Sequence, residues 1–391
     1  MIALRTARAG VLAAALMVAT GTTSALATND PGLSQQWALT GAPSSIHAPE
    51  AWCNGQGGVL VADIDSGANF SHEDLQGKLI PGNAYLGGNG DITGSGEAAV
   101  TDDNGHGSMT TGIMSAVTDN GKGIAGVAPA SQALIVKVLK QDSSGEATGT
   151  ANDVAAGIRW AADQPGVKVI NLSLGPDVHV PLSGLTNPVP PAIHYAVGTR
   201  HVMVVAAAGN QSGQSSDYKS ETDEALVVGA TNHDGYKASY SQPGNIYAPG
   251  GDGDQPSDKT WVISTGSKSS TAYLMGAGTS LAAPQVAGTV ALLMGNGMSA
   301  AQARQRVLDT AVSRNGVRQL DAAAALGSSG CAASQAPPPS GHLNTAPTKK
   351  TTVAPKTPAA SPPPPPPPSP SPEPSPTPSR LFGVVPDEGP D

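Results

Sequence analysis

Four polar residues of this 391-residue chain have the types and positions that chemistry on an acyl group requires. They follow or precede apolar runs at separate points of the chain: Asp65, His106, Asn210 and Ser280. A serine hydroxyl becomes a nucleophile only when a base, such as a neutral imidazole, removes its proton. A carboxylate can hold that imidazole in the required tautomer, and an amide N–H can bind the developing oxyanion. The four residues together predict a nucleophilic serine site.

Each of these residues also has an ordinary structural explanation. Asp and Asn at strand ends commonly form turns, and a serine before a helix commonly caps it. The catalytic hypothesis depends on all four residues lying at loop or strand-end positions of a single α/β domain.

Alternating strands and helices are the elements that must bring these residues together. Five short, almost wholly apolar runs favour strands buried on both faces of a parallel sheet: 58–65, 133–139, 167–174, 201–209 and 225–231. Helices are predicted over 150–164, over 280–295 and from Ser299, where Gln302 completes a capping box. We therefore predict an α/β fold with a doubly wound, mainly parallel sheet, whose functional site lies at the carboxyl ends of the strands.

The order Asp65, His106, Ser280 and the surrounding segments carry a resemblance to a known family. VADIDSG, NGHGSMTTG, VINLSLG, VVAAAGN and GTSLAAPQVAG resemble the signature segments of the subtilisin-like (subtilase) serine peptidases over about residues 29–330. The segment NDPGLSQQWALTGAPSSIHAPEAW is similar to the thermitase-like branch. The resemblance implies a subtilisin-like fold and a secreted endopeptidase that forms an acyl-enzyme. Its triad would be Asp65, His106 and Ser280, with Asn210 binding the oxyanion.

The resemblance also implies sites for substrate and metal. Two edges would bind a peptide as an added β-strand: Ser143, Ser144 and Gly145 on one side, and Ser173, Leu174 and Gly175 on the other. A structural calcium ion, and no catalytic cofactor, is expected from a match to thermitase-like ligands at Asp30, Asp74 and Asn120. Plain turns are the alternative, because oxygen-bearing side chains are common there.

Two segments depart from the family pattern. HGSMTTG has Met109 and Thr110 where the family usually has a histidine and an apolar residue. Asp63 is an acid in a strand that is normally apolar, and if buried it needs a partner or a raised pKa. The segment resembling the mature enzyme follows the predicted signal directly, so we expect folding without the long propeptide typical of the family.

The N-terminal residues and the two cysteines indicate an oxidising compartment. Residues 1–27 predict an export signal with a basic start, an apolar stretch and the small-residue cleavage site Ala-Leu-Ala at 25–27; a buried N-terminal helix is the alternative. Outside the cytoplasm, an even cysteine count favours a disulfide between Cys53 and Cys331. The chain-entropy model values that bridge at about 4–5 kcal/mol. Two unrelated buried cysteines are the alternative.

Composition divides the chain into three predicted parts: a signal peptide at 1–27, a peptidase domain at 28–331, and a tail at 332–391 that is rich in Pro, Ser, Ala and Thr. Such a tail cannot bury a core and is predicted to be disordered or polyproline II. The net charge of −9 argues against a nucleic-acid surface. No membrane span is expected in the mature chain. The expected partners are a protein or peptide substrate and, through the tail, cell-wall polymer; a monomer is expected.

Other functions stay open from the sequence. A catalytically silent, peptide-binding subtilase relative would share the fold, although it would have little need of all four polar residues. The tail would suit a cell-wall-associated, mycosin-like processing protease. The C-terminal membrane helix expected of such a protease is not found in this sequence. An α/β-hydrolase esterase is disfavoured, because GTSLA lacks the second glycine of G-x-S-x-G and the triad order differs.

Overall fold

The computed structural model describes residues 28–55, 57–174, 187–216, 218, 223–253, 257, 259–328 and 345–347. All of these belong to one compact unit, residues 1–353, whereas a second unit, residues 354–391, lies outside the described residues. The predicted signal peptide and most of the predicted tail also lie outside them.

The strands are β1 Leu60–Asp65, β2 Leu79–Ala84, β3 Gly94–Ser95, β4 Gln132–Lys137, β5 Lys140–Gln141, β6 Ala147–Thr148, β7 Val167–Leu172, β8 Met203–Ala207, β9 Leu226–Thr231, β10 Ile246–Pro249, β11 Val262–Thr265, β12 Tyr273–Gly276, β13 Val312–Arg314, β14 Val317–Gln319 and β15 Thr345–Pro347. The α-helices are α1 Ala48–Ala51, α2 Glu97–Val100, α3 His106–Ser115, α4 Ala151–Asp163, α5 Val189–His194, α6 Thr279–Gly295, α7 Ala300–Asp309 and α8 Ala322–Leu326. A 3₁₀ helix spans Pro31–Gln35 and a π-helical turn spans Tyr195–Thr199.

A ten-stranded sheet forms the centre, in the order β13-β14-β10-β9-β8-β7-β1-β4-β2-β3. Its pairs are parallel except at the two ends, where β13 and β3 run antiparallel to their neighbours. Within the described residues, β11, β12 and β15 form a smaller sheet, and β5 pairs with β6. The prediction of a doubly wound, mainly parallel α/β fold is confirmed.

Helices cover both faces of the central sheet because its strands are apolar on both sides. Alternate residues of one strand face different layers: Val61 packs in the layer of α3 and α6, whereas Ala62 and Ile64 pack in the layer of α4 and α5. By the same alternation, the odd-numbered Asp63 and Asp65 face the α3 and α6 layer.

The observed boundaries are close to those predicted. Helix α4 begins after Thr150, whose side chain accepts from Asp153 N, and Ser299 and Gln302 form the predicted capping box of α7. Strand β15 lies inside the predicted tail and pairs in parallel with β12, the strand that leads to Ser280. A short part of the tail is therefore associated with the domain.

Candidate active site

Asp65 is the last residue of β1 and is 1% exposed. The main chain turns away immediately after it, because Gly67 adopts a φ of +107°, which L-residues with side chains rarely adopt. The backbone N–H of Ser66 donates to Asp65 Oδ1 at 2.7 Å. A strand end followed by a glycine turn thus presents a buried carboxylate at the edge of the sheet.

His106 is the first residue of α3, and close backbone packing sets its position. A Cβ on Gly107 would lie 2.1 Å from the carbonyl oxygen of Gly67, so only glycine allows the helix to approach β1 this closely. The backbone N–H of Gly107 also donates to Ser66 Oγ at 2.9 Å. The glycines in IDSG and GHGS therefore bring Asp65 and His106 together.

The imidazole and the carboxylate are directly bonded. His106 Nδ1 lies 2.8 Å from Asp65 Oδ1 and 2.9 Å from Oδ2. Burial is the largest influence on the His106 pKa and lowers it. The charge and hydrogen bond of Asp65, and then the charges of Asp102 and Asp63, outweigh burial and raise the pKa to about 8. The arrangement leaves Nε2 as the nitrogen that can exchange a proton with a substrate or a nucleophile.

Asp102 orders the loop that leads into His106 and was not identified from the sequence. Its Oδ1 accepts from Ser66 Oγ, Asn104 N and Gly105 N, and its Oδ2 accepts from the N–H and hydroxyl of Ser108. An acid three residues before a glycine in DDNG is the signal that could have identified it, since Asp side chains commonly accept from backbone N–H groups two or three residues on.

Ser280 is the second residue of α6 and is 7% exposed. The N-cap position belongs to Gly278, which provides no side-chain cap, so a capping role does not explain the serine. Pro284 lies in the second turn of the helix. Because proline has no N–H, it cannot donate to the carbonyl of Ser280, and Ser173 Oγ donates there instead, at 2.8 Å.

Asn210 follows strand β8 and faces the start of α6. Its Oδ1 accepts from both the N–H and the hydroxyl of Thr279, each at 2.9 Å. The same hydroxyl oxygen accepts from Gly209 N at 3.1 Å. A carbon placed at the Cβ position of Gly278 would be 3.5 Å from Asn210 Nδ2 and 3.7 Å from Ser280 N. Asn210 Nδ2 and Ser280 N therefore both lie close to Gly278 at the start of α6.

The helices that carry His106 and Ser280 pack against each other in the same layer. Among the described residues, no hydrogen bond joins the Ser280 hydroxyl to His106 in this structure. Catalytic hydrogen bonds are often long before substrate binds and then shorten. The structure thus joins Asp65 with His106, bonds Asn210 to Thr279 next to Ser280, and packs α3 against α6.

The two segments predicted to bind substrate differ in accessibility. Ser143, Ser144 and Gly145 form the exposed turn between β5 and β6, and Asn104 Nδ2 donates to Gly145 O at 3.0 Å. That bond fixes the turn beside the loop leading to His106. On the other side, Ser173 and Leu174 are buried at 1% and 3% exposure, and Gly175 lies outside the described residues.

The three predicted calcium ligands do converge, around the loop at 119–124. Asp30 accepts from Asp119 N and Asn120 N at 2.8 and 3.0 Å. Asp74 accepts from Asn120 Nδ2 at 3.0 Å and from Ile124 N at 2.7 Å. Both carboxylates are fully buried, which raises the pKa of each, and the charge of Asp74 raises that of Asp30 further.

The residue types are those that calcium prefers, although each oxygen of Asp30 and Asp74 accepts from an N–H or O–H group in this structure. Two buried carboxylates lie near one another, and neither has an ion pair among the residues that the structure describes. The amide and carbonyl oxygens of the loop would complete an all-oxygen set. The Asn120 amide, however, directs nitrogen towards Asp74 and would have to turn over to contribute its oxygen. No cluster of three or more His, Cys, Asp or Glu side chains suited to a metal occurs within the described ranges.

The predicted disulfide stays a prediction, because Cys331 lies outside the described residues and only Cys53 can be placed. Helices that are both long enough and apolar enough to cross a membrane do not occur in the described part of the chain.

Comparison with known proteins agrees with the geometry. The Subtilase family matches residues 56–334. Thermitase from Thermoactinomyces vulgaris is 39% identical over 273 residues, which cover 69% of this chain and 87% of thermitase. A thermophilic serine proteinase from Bacillus sp. (strain AK1) is 35% identical, over 69% of this chain and 61% of that protein. A solved protease structure from Pseudoalteromonas arctica PAMC 21717 has a TM-score of 0.63 at 28% identity, covering 77% of this chain and 98% of that one.

Proposed function

Because this chain belongs to the subtilase family of serine endopeptidases, we propose that it hydrolyses peptide bonds with Ser280 as nucleophile, His106 as general base and Asp65 as the carboxylate that orients the base. The observation that carries the proposal is the bond between His106 Nδ1 and Asp65, on a helix that packs against the helix of Ser280. It supports an imidazole whose second nitrogen faces the nucleophile.

The reaction proceeds in two halves. His106 Nε2 takes the Ser280 proton as Oγ attacks the peptide carbonyl carbon, and Asp65 stabilises the imidazolium that forms. Asn210 Nδ2 and Ser280 N donate to the oxyanion of the tetrahedral intermediate. His106 then protonates the leaving amine, which leaves an acyl-enzyme. Water, deprotonated by the same histidine, releases the acid product and restores Ser280.

Substrate binds as an extended strand between two segments of main chain. The exposed turn between β5 and β6, together with Ser173 and Leu174, which directly follow β7, supports this. Gly145 already uses its N–H for Asp142 O and its carbonyl for Asn104. A peptide bound on that side must therefore pair beside these groups or displace the Asn104 bond.

A structural calcium ion is part of the proposal, held by Asp30, Asp74, Asn120 and carbonyls of the 119–124 loop. A bound cation would neutralise two buried carboxylates and hold the N-terminal segment against the loop. It would contribute stability and take no part in peptide hydrolysis.

The remaining organisation is proposed from composition. Residues 1–27 direct export and are removed, residues 28–331 form the peptidase, and residues 332–391 form a spacer that contacts cell-wall polymer. In an oxidising compartment Cys53 and Cys331 would pair. The enzyme would act as a monomer on protein or peptide substrates. A wall-associated processing protease is a narrower form of the same proposal.

The test compares wild type with Ser280→Ala and His106→Ala on a mixed peptide library, with products mapped by mass spectrometry. We expect cleavage by wild type and a loss of kcat of about 10⁶-fold in each variant, the magnitude measured for subtilisin. Residual turnover within tenfold of wild type would exclude the assigned nucleophile or base. Binding of peptides without cleavage by wild type would favour the catalytically silent alternative.

A further inference from the structure

Asp63 is a second buried carboxyl group beneath the proposed triad, and the mechanism above does not use it. It precedes Asp65 by two residues on β1 and is 1% exposed. Because side chains alternate along a strand, the two carboxyl groups face the same layer and lie about 7 Å apart along the strand. A carboxyl group in that position needs hydrogen-bond partners or a proton.

Three side chains bind Asp63. Its Oδ2 accepts from the hydroxyls of Thr110 and Thr111 on α3, at 2.8 and 2.6 Å. Its Oδ1 accepts from Asn171 Nδ2 on the neighbouring strand β7, at 2.9 Å. The acid in β1 and the hydroxyls in HGSMTTG are therefore complementary, which explains why both segments depart from the apolar family pattern together.

The hydrogen bonds of this cluster can accommodate a proton on Asp63. The single Thr110 hydroxyl proton has two acceptors in reach, Asp63 Oδ2 and the carbonyl of Gly107 at 3.0 Å. With a proton on Oδ2, Asp63 donates to Thr110, Thr110 donates to Gly107, and Thr111 and Asn171 donate to Asp63. Every hydroxyl proton then has its own acceptor. An ionised Asp63 accepts from Thr110, Thr111 and Asn171 instead, so the same side chains bind it in either protonation state.

Burial favours the protonated form of Asp63. Removal from water, and then the charge of Asp65, raises the pKa of Asp63 to about 7, although its three hydrogen bonds lower it. Asp63 is therefore mostly protonated below neutral pH. It ionises close to the range in which His106 titrates, so the two titrations are coupled.

The same cluster connects the base with the nucleophile. Thr110 and Thr111 belong to the helix that begins at His106. On the other side, Asn171 Nδ2 donates to Ser173 Oγ at 2.9 Å, and Ser173 Oγ donates to the carbonyl of Ser280 at 2.8 Å. An unbroken series of side-chain hydrogen bonds therefore runs from α3 through Asp63 to the first turn of α6.

We propose that Asp63 is a positioning residue that fixes the helix of His106 relative to the helix of Ser280. The inference rests on the proposed function, since the two helices must be aligned only if their residues react together. Asp63 touches neither substrate nor reacting atoms and acts through Thr110, Thr111 and Asn171.

The charged groups around the cluster determine the expected pH behaviour. They are Asp65 on β1, Asp102 and Asp103 before α3, and Lys137 on β4, whose ammonium binds Asp103 and the carbonyl of Ser66. Asp63 raises the pKa of His106 only when it is itself ionised. An uncharged residue at 63 should therefore move the acid limb of the kcat/KM profile to lower pH, by roughly 0.5–1 unit, the size expected for one partly screened charge.

Two substitutions separate charge from positioning. Asp63→Asn keeps the shape and the hydrogen-bonding capacity without the ionisation, so we expect kcat within about threefold of wild type and the acid limb displaced as above. Asp63→Val removes the connection, so we expect kcat to fall about 10–100-fold with KM nearly unchanged. If Asp63→Val does not fold, Thr110→Val removes one connecting hydroxyl at constant size and should lower kcat about tenfold.

Asp153→Asn is the matched control. Asp153 is also 1% exposed and binds backbone N–H groups, those of Gly88 and Gly90, but it has no bond to α3. Asp153→Asn should leave the acid limb of the kcat/KM profile unchanged. Full kcat in Asp63→Val, or a kcat in Asp63→Asn as low as that of Asp63→Val, would overturn the proposal.

Infrared spectroscopy tests the proton directly and needs no activity. In the inactive Ser280→Ala protein at pH 6, we expect a carboxylic-acid C=O band that is absent from Ser280→Ala/Asp63→Asn. A spectrum unchanged by Asp63→Asn would contradict a neutral Asp63. The result is separable from failure of the proposed function, which the turnover of Ser280→Ala and His106→Ala reports.

Discussion

The carbonyl of Ser280 depends on Ser173 because Pro284 cannot supply the usual helical donor. In a regular helix, the N–H of residue 284 would donate to the oxygen of residue 280. Here Ser173 Oγ donates to it at 2.8 Å, and both residues are buried. Ser173→Ala should therefore leave a buried carbonyl unpaired, which costs about 1–3 kcal/mol of unfolding free energy.

A double-mutant cycle isolates this effect. Pro284→Ala restores an N–H that can donate to Ser280 O. In the Pro284→Ala background, Ser173→Ala should therefore lower the free energy of unfolding by at least about 1 kcal/mol less than it does in the protein with Pro284. The loss of the Asn171 partner occurs in both backgrounds and cancels. At about 2–4 °C per kcal/mol, the coupling is visible in melting temperature. Denaturant unfolding of the inactive Ser280→Ala protein avoids self-digestion.

Ser264 provides the matched control for the cycle. Its hydroxyl donates at 2.7 Å to the carbonyl of Met109, in a part of α3 where residue 113 carries a normal helical N–H. Ser264→Ala should lower the free energy of unfolding by the same amount whether residue 284 is proline or alanine. If the cost of Ser173→Ala is also equal in the two backgrounds, the explanation of the proline is refuted.

Three further predictions concern the oxyanion, pH and calcium. Asn210→Ala should lower kcat by about 10²–10³, the range measured for the corresponding loss in subtilisin, and an unchanged kcat would mean that other groups bind the oxyanion. Only neutral His106 can act as base, so kcat/KM should rise with pH through about 8 and fall about tenfold per unit at lower pH; a flat profile from pH 6 to 9 would contradict this. The raised pKa has the opposite effect on stability: its contribution is complete below pH 6.5 and is lost as pH rises through about 8, which unfolding measured against pH would detect. Chelation should lower the melting temperature of wild type by several degrees, since a saturated calcium site contributes about 2–3 kcal/mol to the free energy of unfolding. The melting temperature of Asp30→Asn should not change with chelator. Identical melting of wild type with and without EDTA would contradict a structural calcium ion.

The sequence predicts most of what local patterns determine. Apolar runs that end at or just before Asp65 and Asn210 identify strands of a parallel sheet, whose carboxyl ends lie at one edge, so the location of these two residues at that edge is predictable. The capping box at Ser299 is likewise a local pattern. Family resemblance adds the roles of the residues, which no strand or helix pattern contains.

The sequence does not reveal contacts that depend on how elements are oriented in three dimensions. The meeting of Asp63 with Thr110 and Thr111 depends on the rotation of α3 about its axis relative to β1. Asp102 has the sequence pattern of an ordinary turn acid. Its role depends on backbone and hydroxyl donors that only the folded loop brings to it. Ser173 donates to the Ser280 carbonyl in place of the N–H that Pro284 lacks, although Ser173 lies more than a hundred positions away in the chain.

The most direct test of the central claim is covalent labelling by a fluorophosphonate. We expect stoichiometric labelling of wild type, with the phosphonyl group located on Ser280 by peptide mass spectrometry. Labelling should be lost in Ser280→Ala and in His106→Ala. Labelling of a different residue, or labelling that persists at the wild-type rate without His106, would contradict it.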